Sequence, residues 1–247
     1  MARSELLIAL ALVSGCDVVV GLSGDQHACG TTTFKADKGT PIVATEDFSI
    51  DWDATFAVLA TGGLVSEYHF ADKSQTPIDL GGYDNLGLAL APEGNGLFFT
   101  ASIEPPTLMA AGLQKDAWRI GQQAPKGAYA GTPSADTFGP RHSLVRSDPE
   151  TQTVQEFEDQ DGVWVAVGDP HTVPGFVAPN LTPNGLTMVY ADNGGSTGVF
   201  VATRTSTDAW FGTPVLVLEG NHRYPQLLGR CSDLYVIDDG TLTRYER

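Results

Sequence analysis

A chain of 247 residues with 42% hydrophobic content can bury a core, which excludes a wholly disordered protein. Its 28 glycines and 15 prolines point to a fold with many turns. Acids outnumber bases 30 to 14, and the formal charge of -16 repels phosphate backbones, so nucleic acid is set aside as a partner. Solubility accounts for the acidity, with cation binding as the alternative.

The N-terminus comes first. Leu6 to Val13 is an unbroken apolar run, preceded by Arg3 and Glu5. It is shorter than the roughly 20 residues a membrane-spanning helix needs, but it suits the centre of a signal peptide. The run ends in Val13-Ser14-Gly15-Cys16, which resembles the lipobox of bacterial lipoproteins. That resemblance implies cleavage before Cys16 and acylation of its sulfur and new amino group. Residues 1–15 are then a signal peptide and 16–30 a lipidated N-terminus and tether. A plain secretory peptide or a buried N-terminal strand are the alternatives. Two or three acyl chains anchor stably, since each buried methylene contributes about 0.8 kcal/mol. Two cysteines remain, Cys29 and Cys231, near the ends of the mature chain. Outside the cytoplasm such a pair tends to oxidise, and a disulfide here would join the first and last segments; two isolated buried thiols are the alternative.

From Gly30 strands are expected, and residues 31–247 are taken as one all-β body. Phe48 to Ile50 leads into a turn with Asp51 and Asp53; Thr55 to Ala60, Leu64 to Phe70 and Thr76 to Leu80 follow as strands. Leu88 to Ser102 repeats the pattern, with Ala91 to Gly96 as the turn. The stretch from Pro105 to Gly131 is the least regular, with a helical turn expected at Leu113 to Trp118. Ser143 to Arg146, Thr151 to Phe157 and Val163 to Val167 form a degenerate unit. The clearest unit is Ala178 to Gly220, with strands at Val177 to Leu181, Leu186 to Ala191, Val199 to Thr205 and Pro214 to Leu218. Its turns, Pro183-Asn184-Gly185 and Asp192-Asn193-Gly194-Gly195, supply the positive φ of tight hairpins. Pro225 to Glu246 closes the chain with three more strands. Asp53, Glu93 and Asn184 hold the same place in three of the copies, with room for the degenerate unit between the second and the third.

Repeats of about 40 to 46 residues with four short strands each predict a single β-propeller of four-stranded antiparallel blades, five or six in number. A two-sheet β-sandwich is the alternative. The segment Asn180-Leu181-Thr182-Pro183-Asn184-Gly185 through Val199-Phe200-Val201-Ala202-Thr203-Arg204 resembles the TolB-type WD-like β-propeller repeat, with Asn184 where that repeat usually has Asp. The resemblance implies a periplasmic or surface role in protein contacts, and it brings no catalytic set.

Asp51, Asp53 and Glu93 could face one end of the ring as a ligand funnel, since paired carboxylates serve glycosidases; as turn residues they would instead bond local amides. The five histidines, His27, His69, His142, His171 and His222, show no metal-binding spacing. There is no phosphate-binding loop and no nucleophile elbow. Trp52, Trp118, Trp164 and Trp210 read as plugs between blades, with a glycan-stacking platform as the alternative. The expectation is a monomeric, non-catalytic, lipid-anchored envelope module with no cofactor and no metal. Its partner would be an envelope protein or a glycan. A glycan-binding or glycosidase-like propeller is the alternative.

Overall fold

The computed structural model describes residues 28–31, 33–81, 85–90, 94, 96–101, 107–114, 117–128, 134–136, 143–148, 153–160, 163–172, 176–182, 184–192, 198–228 and 231–247. Residues 1–15, read above as a signal peptide, lie outside them, as do Cys16, the rest of 16–27 including His27, Glu93, His142 and Asn193-Gly194-Gly195. Among the described residues the chain forms five four-stranded antiparallel sheets, arranged as a β-propeller.

The first sheet is β2 (Asp47–Ile50), β3 (Phe56–Thr61), β4 (Leu64–His69) and β5 (Gln75–Ile78), close to the strands expected. The second is β6 (Asn85–Leu90), β7 (Gly96–Ala101), β8 (Thr107–Gln114) and β9 (Ala117–Ala128). Leu113 to Trp118 is no helical turn but the end of the β8–β9 hairpin, with Leu113 facing Trp118 and Gln114 facing Ala117. The reason is tertiary. β8 pairs with β7 from Thr107 to Gly112, which carries the strand up to Leu113, and the Trp118 indole N–H donates to Glu67 Oε2 of the first sheet at 3.1 Å.

The third sheet is β10 (Ser134–Asp136), β11 (Ser143–Asp148), β12 (Thr153–Gln160) and β13 (Val163–Thr172). It completes the degenerate unit with a first strand the sequence did not announce. The fourth is β14 (Phe176–Leu181), β15 (Thr187–Asp192), β16 (Gly198–Thr203) and β17 (Val215–Glu219). The last combines β18 (His222–Leu228), β19 (Asp233–Asp238) and β20 (Thr241–Glu246) with β1 (Thr40–Ala44), which pairs with β20. The first strand among the described residues is therefore the outermost strand of the last sheet. Before it, residues 28–39 are irregular apart from a short 3-10 turn, Ala36–Lys38.

The first strands β2, β6, β10, β14 and β18 touch one another in cyclic order, which makes them the inner ring. The core is accordingly a set of seams between sheets. Val58, Val65 and Ile78 of the first sheet meet Leu90, Leu97, Phe99 and Met109 of the second. Phe48, Leu59 and Tyr68 meet Tyr235, Ile237 and Leu242 of the last sheet. Val189, Val201 and Val217 meet Leu227, Leu234 and Val236. Val154 meets Met188, Tyr190 and Phe211. Each large apolar side chain so buried contributes about 1.5–3 kcal/mol. The circle is fastened at its ends. Cys29 and Cys231 form a disulfide across 202 residues, Phe34 N donates to Val217 O, and Arg247 donates to Gly30 O at 2.7 Å.

Candidate functional site

Four of the five inner strands share one register. Ile50 faces Ala57, Leu90 faces Leu97, Leu181 faces Met188 and Leu227 faces Leu234, each partner seven positions later. These four residues therefore occupy one level of the ring. One step up lie Ser49, Ala89, Asn180 and Gln226. Two of these staple neighbouring sheets. Gln226 donates to Ile50 O at 2.7 Å and accepts from Ile50 N at 2.9 Å. Ser49 Oγ accepts from Leu90 N at 2.8 Å. Above this level β6, β14 and β18 lose regular pairing, between Leu86 and Leu88, Val177 and Asn180, and Arg223 and Gln226. Gly87 (φ 67) and Tyr224 (φ 51) take positive φ there.

Asp47 sits at this level where β2 begins, and it is 6% exposed. Its Oδ1 accepts from Phe48 N at 2.8 Å and its Oδ2 from Leu88 N at 3.1 Å, so it ties β2 to β6. Burial pushes its carboxyl up to about 6, against the opposing pull of the Leu88, Phe48 and Gly87 amides and the Arg223 charge. Tyr224 is close enough for the Asp47 charge to reinforce burial in raising its hydroxyl. Asp47 and Tyr224, with the Arg223 charge acting on both, thus gather at one end of the inner ring. Chemically, Asp47 could give up a proton near neutral pH, but its oxygens already hold backbone amides.

The acids singled out in the sequence behave differently. Asp51 is buried, and its carboxylate accepts from Thr55 N and Phe56 N at 2.8 Å and from Thr55 Oγ1 at 2.7 Å. It closes its own turn. Asp53 in the same turn is exposed. Glu93 lies outside the described residues, but Gly94 beside it packs on Phe56, and a Cβ there would come within 3.7 Å of the Asp51 Cβ. The turn carrying Asp51 and the backbone at Gly94 are thus neighbours. In the fourth sheet Thr182 Oγ1 bonds Asn184 Oδ1, and Asn184 Oδ1 accepts from Leu186 N at 3.0 Å, so the Thr-Pro-Asn-Gly turn is also held by its own side chains.

Two clusters were not legible in the sequence. Arg204, 6% exposed, pairs with Glu156 of β12, 7% exposed, at 2.7 Å. Its guanidinium also donates to Gly185 O and Ala209 O and lies 4.4 Å above the Phe211 ring. Beside it, His171 of β13 stacks on Trp210 with ring centroids 3.5 Å apart. These contacts join the third and fourth sheets, so Trp210, like Trp118, fills a seam; Trp52 packs on the seam between first and last sheets. The only advance signal was an arginine ending an apolar strand. Of the remaining histidines, His69 bonds Glu67 at 2.7 Å and His222 is buried. Among the described residues no three His, Cys, Asp or Glu converge to hold a metal, and no helix is long and apolar enough to cross a membrane.

With this geometry in hand, comparison with solved structures decides the fold. TolB from Acinetobacter baumannii superposes with a TM-score of 0.55 at 10% identity, over 84% of this chain and 55% of that one. In fold, the chain is TolB-like. A putative TolB from Agrobacterium tumefaciens gives 0.52 at 11% identity, over 79% of this chain and 69% of that one. A gluconolactonase from Xanthomonas campestris gives 0.54 at 14% identity, over 82% and 71%. The chain spans little more than half the length of the Acinetobacter TolB. No family model matches the chain, and no curated protein does.

Proposed function

We propose that this chain is a lipid-anchored propeller of the bacterial cell envelope, facing the periplasm or the cell surface. It serves as a monomeric protein-interaction or scaffold module without catalysis of its own. The anchor reading rests on Val13-Ser14-Gly15-Cys16. The scaffold reading rests on one observation: Asp47, Ser49 and Gln226 of the inner strands bond backbone groups, in each case reaching the next sheet. Side chains committed in this way hold the ring together and are not free to turn over a substrate. The TolB-like fold supports the same reading. The test is metabolic labelling with a palmitate analogue, followed by cross-linking in intact envelopes. Label on the native chain and none on Cys16→Ser is expected, with a discrete cross-linked protein species. A Cys16→Ser chain that still labels would remove the anchor.

A second reading, a glycan-directed propeller, draws on Asp47 alone: a buried carboxyl near 6 beside Tyr224 and Arg223. The gluconolactonase shares the fold and keeps this reading open. Hydrolysis of a sugar lactone or a polysaccharide that is lost in Asp47→Asn would favour it over the scaffold reading.

A further inference from the structure

His222 begins β18 and is 7% exposed. Its Nε2 lies 3.0 Å from Glu219 O, a carbonyl that can only accept, so Nε2 carries a proton. In the neutral ring Nδ1 is then a bare lone pair, and it is buried with no hydrogen-bond partner. It faces Asp238 Oδ1 at 3.8 Å. The second oxygen, Asp238 Oδ2, accepts from the Tyr245 hydroxyl at 3.1 Å, and the Tyr245 ring packs edge-on against the imidazole. Two acceptors, one neutral and one anionic, are thus held across a gap by a rigid frame. The frame is the β18–β19 ladder, in which His222 and Asp238 are direct partners, and Gly220 (φ +126), where an added Cβ would strike the imidazole.

We propose that this gap is a binding site for a divalent transition-metal cation, with His222 Nδ1 and Asp238 Oδ1 as its two protein ligands and solvent completing the shell. Metal–nitrogen and metal–oxygen bonds of about 2.0–2.2 Å each reach across the observed separation with a bent angle at the ion. The mixed nitrogen and oxygen set favours zinc, copper or nickel over calcium or magnesium. Asp238 has a side chain 40% exposed, which gives the ion a path from solvent. The Tyr245 hydroxyl fixes the carboxylate from behind, as outer-shell donors do for metal ligands. This site is independent of the interaction role proposed above.

The experiment uses the full chain, purified with a histidine-free tag, stripped with chelator and titrated with Zn²⁺ and separately Cu²⁺ by calorimetry. One saturable site per chain is expected, weakened at least about tenfold in both His222→Gln and Asp238→Asn. Asp238→Asn is the decisive variant. Its amide can still accept from Tyr245 and can donate to Nδ1, so the fold should be as stable as wild type while the metal is lost. No saturable binding below about 1 mM metal, or binding that survives Asp238→Asn, would overturn the proposal and leave the gap to water or a proton.

Discussion

Removing Arg204 tests whether the seam between the third and fourth sheets is held by charge. Arg204→Met keeps most of the side-chain volume and its packing near Phe211. It strands Glu156, whose side chain is only 8% exposed, beside a thioether, and it takes donors from Gly185 O and Ala209 O. Breaking a buried pair from one side costs about 3–5 kcal/mol, because the remaining charge loses its partner without regaining water. With a urea dependence of about 2–3 kcal/mol per molar, the unfolding midpoint should fall by roughly 1–2 M. The double variant Glu156→Leu with Arg204→Met removes the stranded charge and should recover most of that loss. Equilibrium unfolding followed by tryptophan fluorescence, without reductant, reads all four proteins of the cycle. A single variant within about 1 kcal/mol of wild type, or a double no better than the single, would refute the reasoning.

Four further outcomes follow. Asp47 has its carboxyl raised from 3.8 to about 6, so its contribution is fully present below its ordinary value and is lost as pH rises through about 6. Stability of wild type minus that of Asp47→Asn, from unfolding curves at pH 4 to 7.5, should therefore fall with pH across that window; a flat difference would deny the burial effect. Gln226→Leu strands Ile50 N–H and C=O together and should destabilise by about 2–4 kcal/mol in chemical denaturation. Replacing Cys29 and Cys231 with serine should lower stability by up to about 5 kcal/mol, the chain-entropy value for so long a loop, and reductant should then have no further effect. Cys16→Ser should move the chain from the membrane fraction to the soluble fraction, read by fractionation and blotting.

The strands were legible where turn chemistry punctuated them. Gly62-Gly63 and Pro183-Asn184-Gly185 mark their hairpins because tight turns demand positive φ, and the sheets holding them lie close to where the sequence placed them. The outer strand β1 was not legible, because its partner β20 lies at the far end of the chain and Thr40 to Ala44 has no pattern that names it. The hairpin from Leu113 to Trp118 was missed for a related reason. Its local residues allow a helical turn, and only the pairing of the preceding Thr107 to Gly112 with β7 and the Trp118 bond to Glu67 select strand. The acids were ambiguous for a different reason. Asp47, Asp51, Asp72 and Asp79 all accept from backbone amides. A carboxylate serving a turn looks, in sequence, like one serving a ligand. Glu156 and Arg204, 48 positions apart, gave no hint of each other.

Closure of the ring follows from where these staples fall. Sheets packed in a circle need every seam sealed, and the seam between the last and first sheets is the one an unclosed chain would leave weakest. Here it is sealed in three independent ways. The chain passes from β1 of the last sheet through Thr45 and Glu46 into β2 of the first, so one backbone crosses it. Thr45 Oγ1 then donates within the first sheet while Thr45 N donates to Gly240 of the last, which fixes the crossing point. Gln226 stitches Ile50 across the same seam at the inner ring. The disulfide does a separate job. It fixes the segment before β1 to the start of β19, and Cys29 N reaches Thr187 of the fourth sheet. A pull on the N-terminus therefore reaches Cys231 before it reaches β1, and the strand that closes the circle is shielded from being peeled off its edge. If the ring is held to a surface by its leading end, as proposed above, losing the disulfide should matter more under tension than at rest.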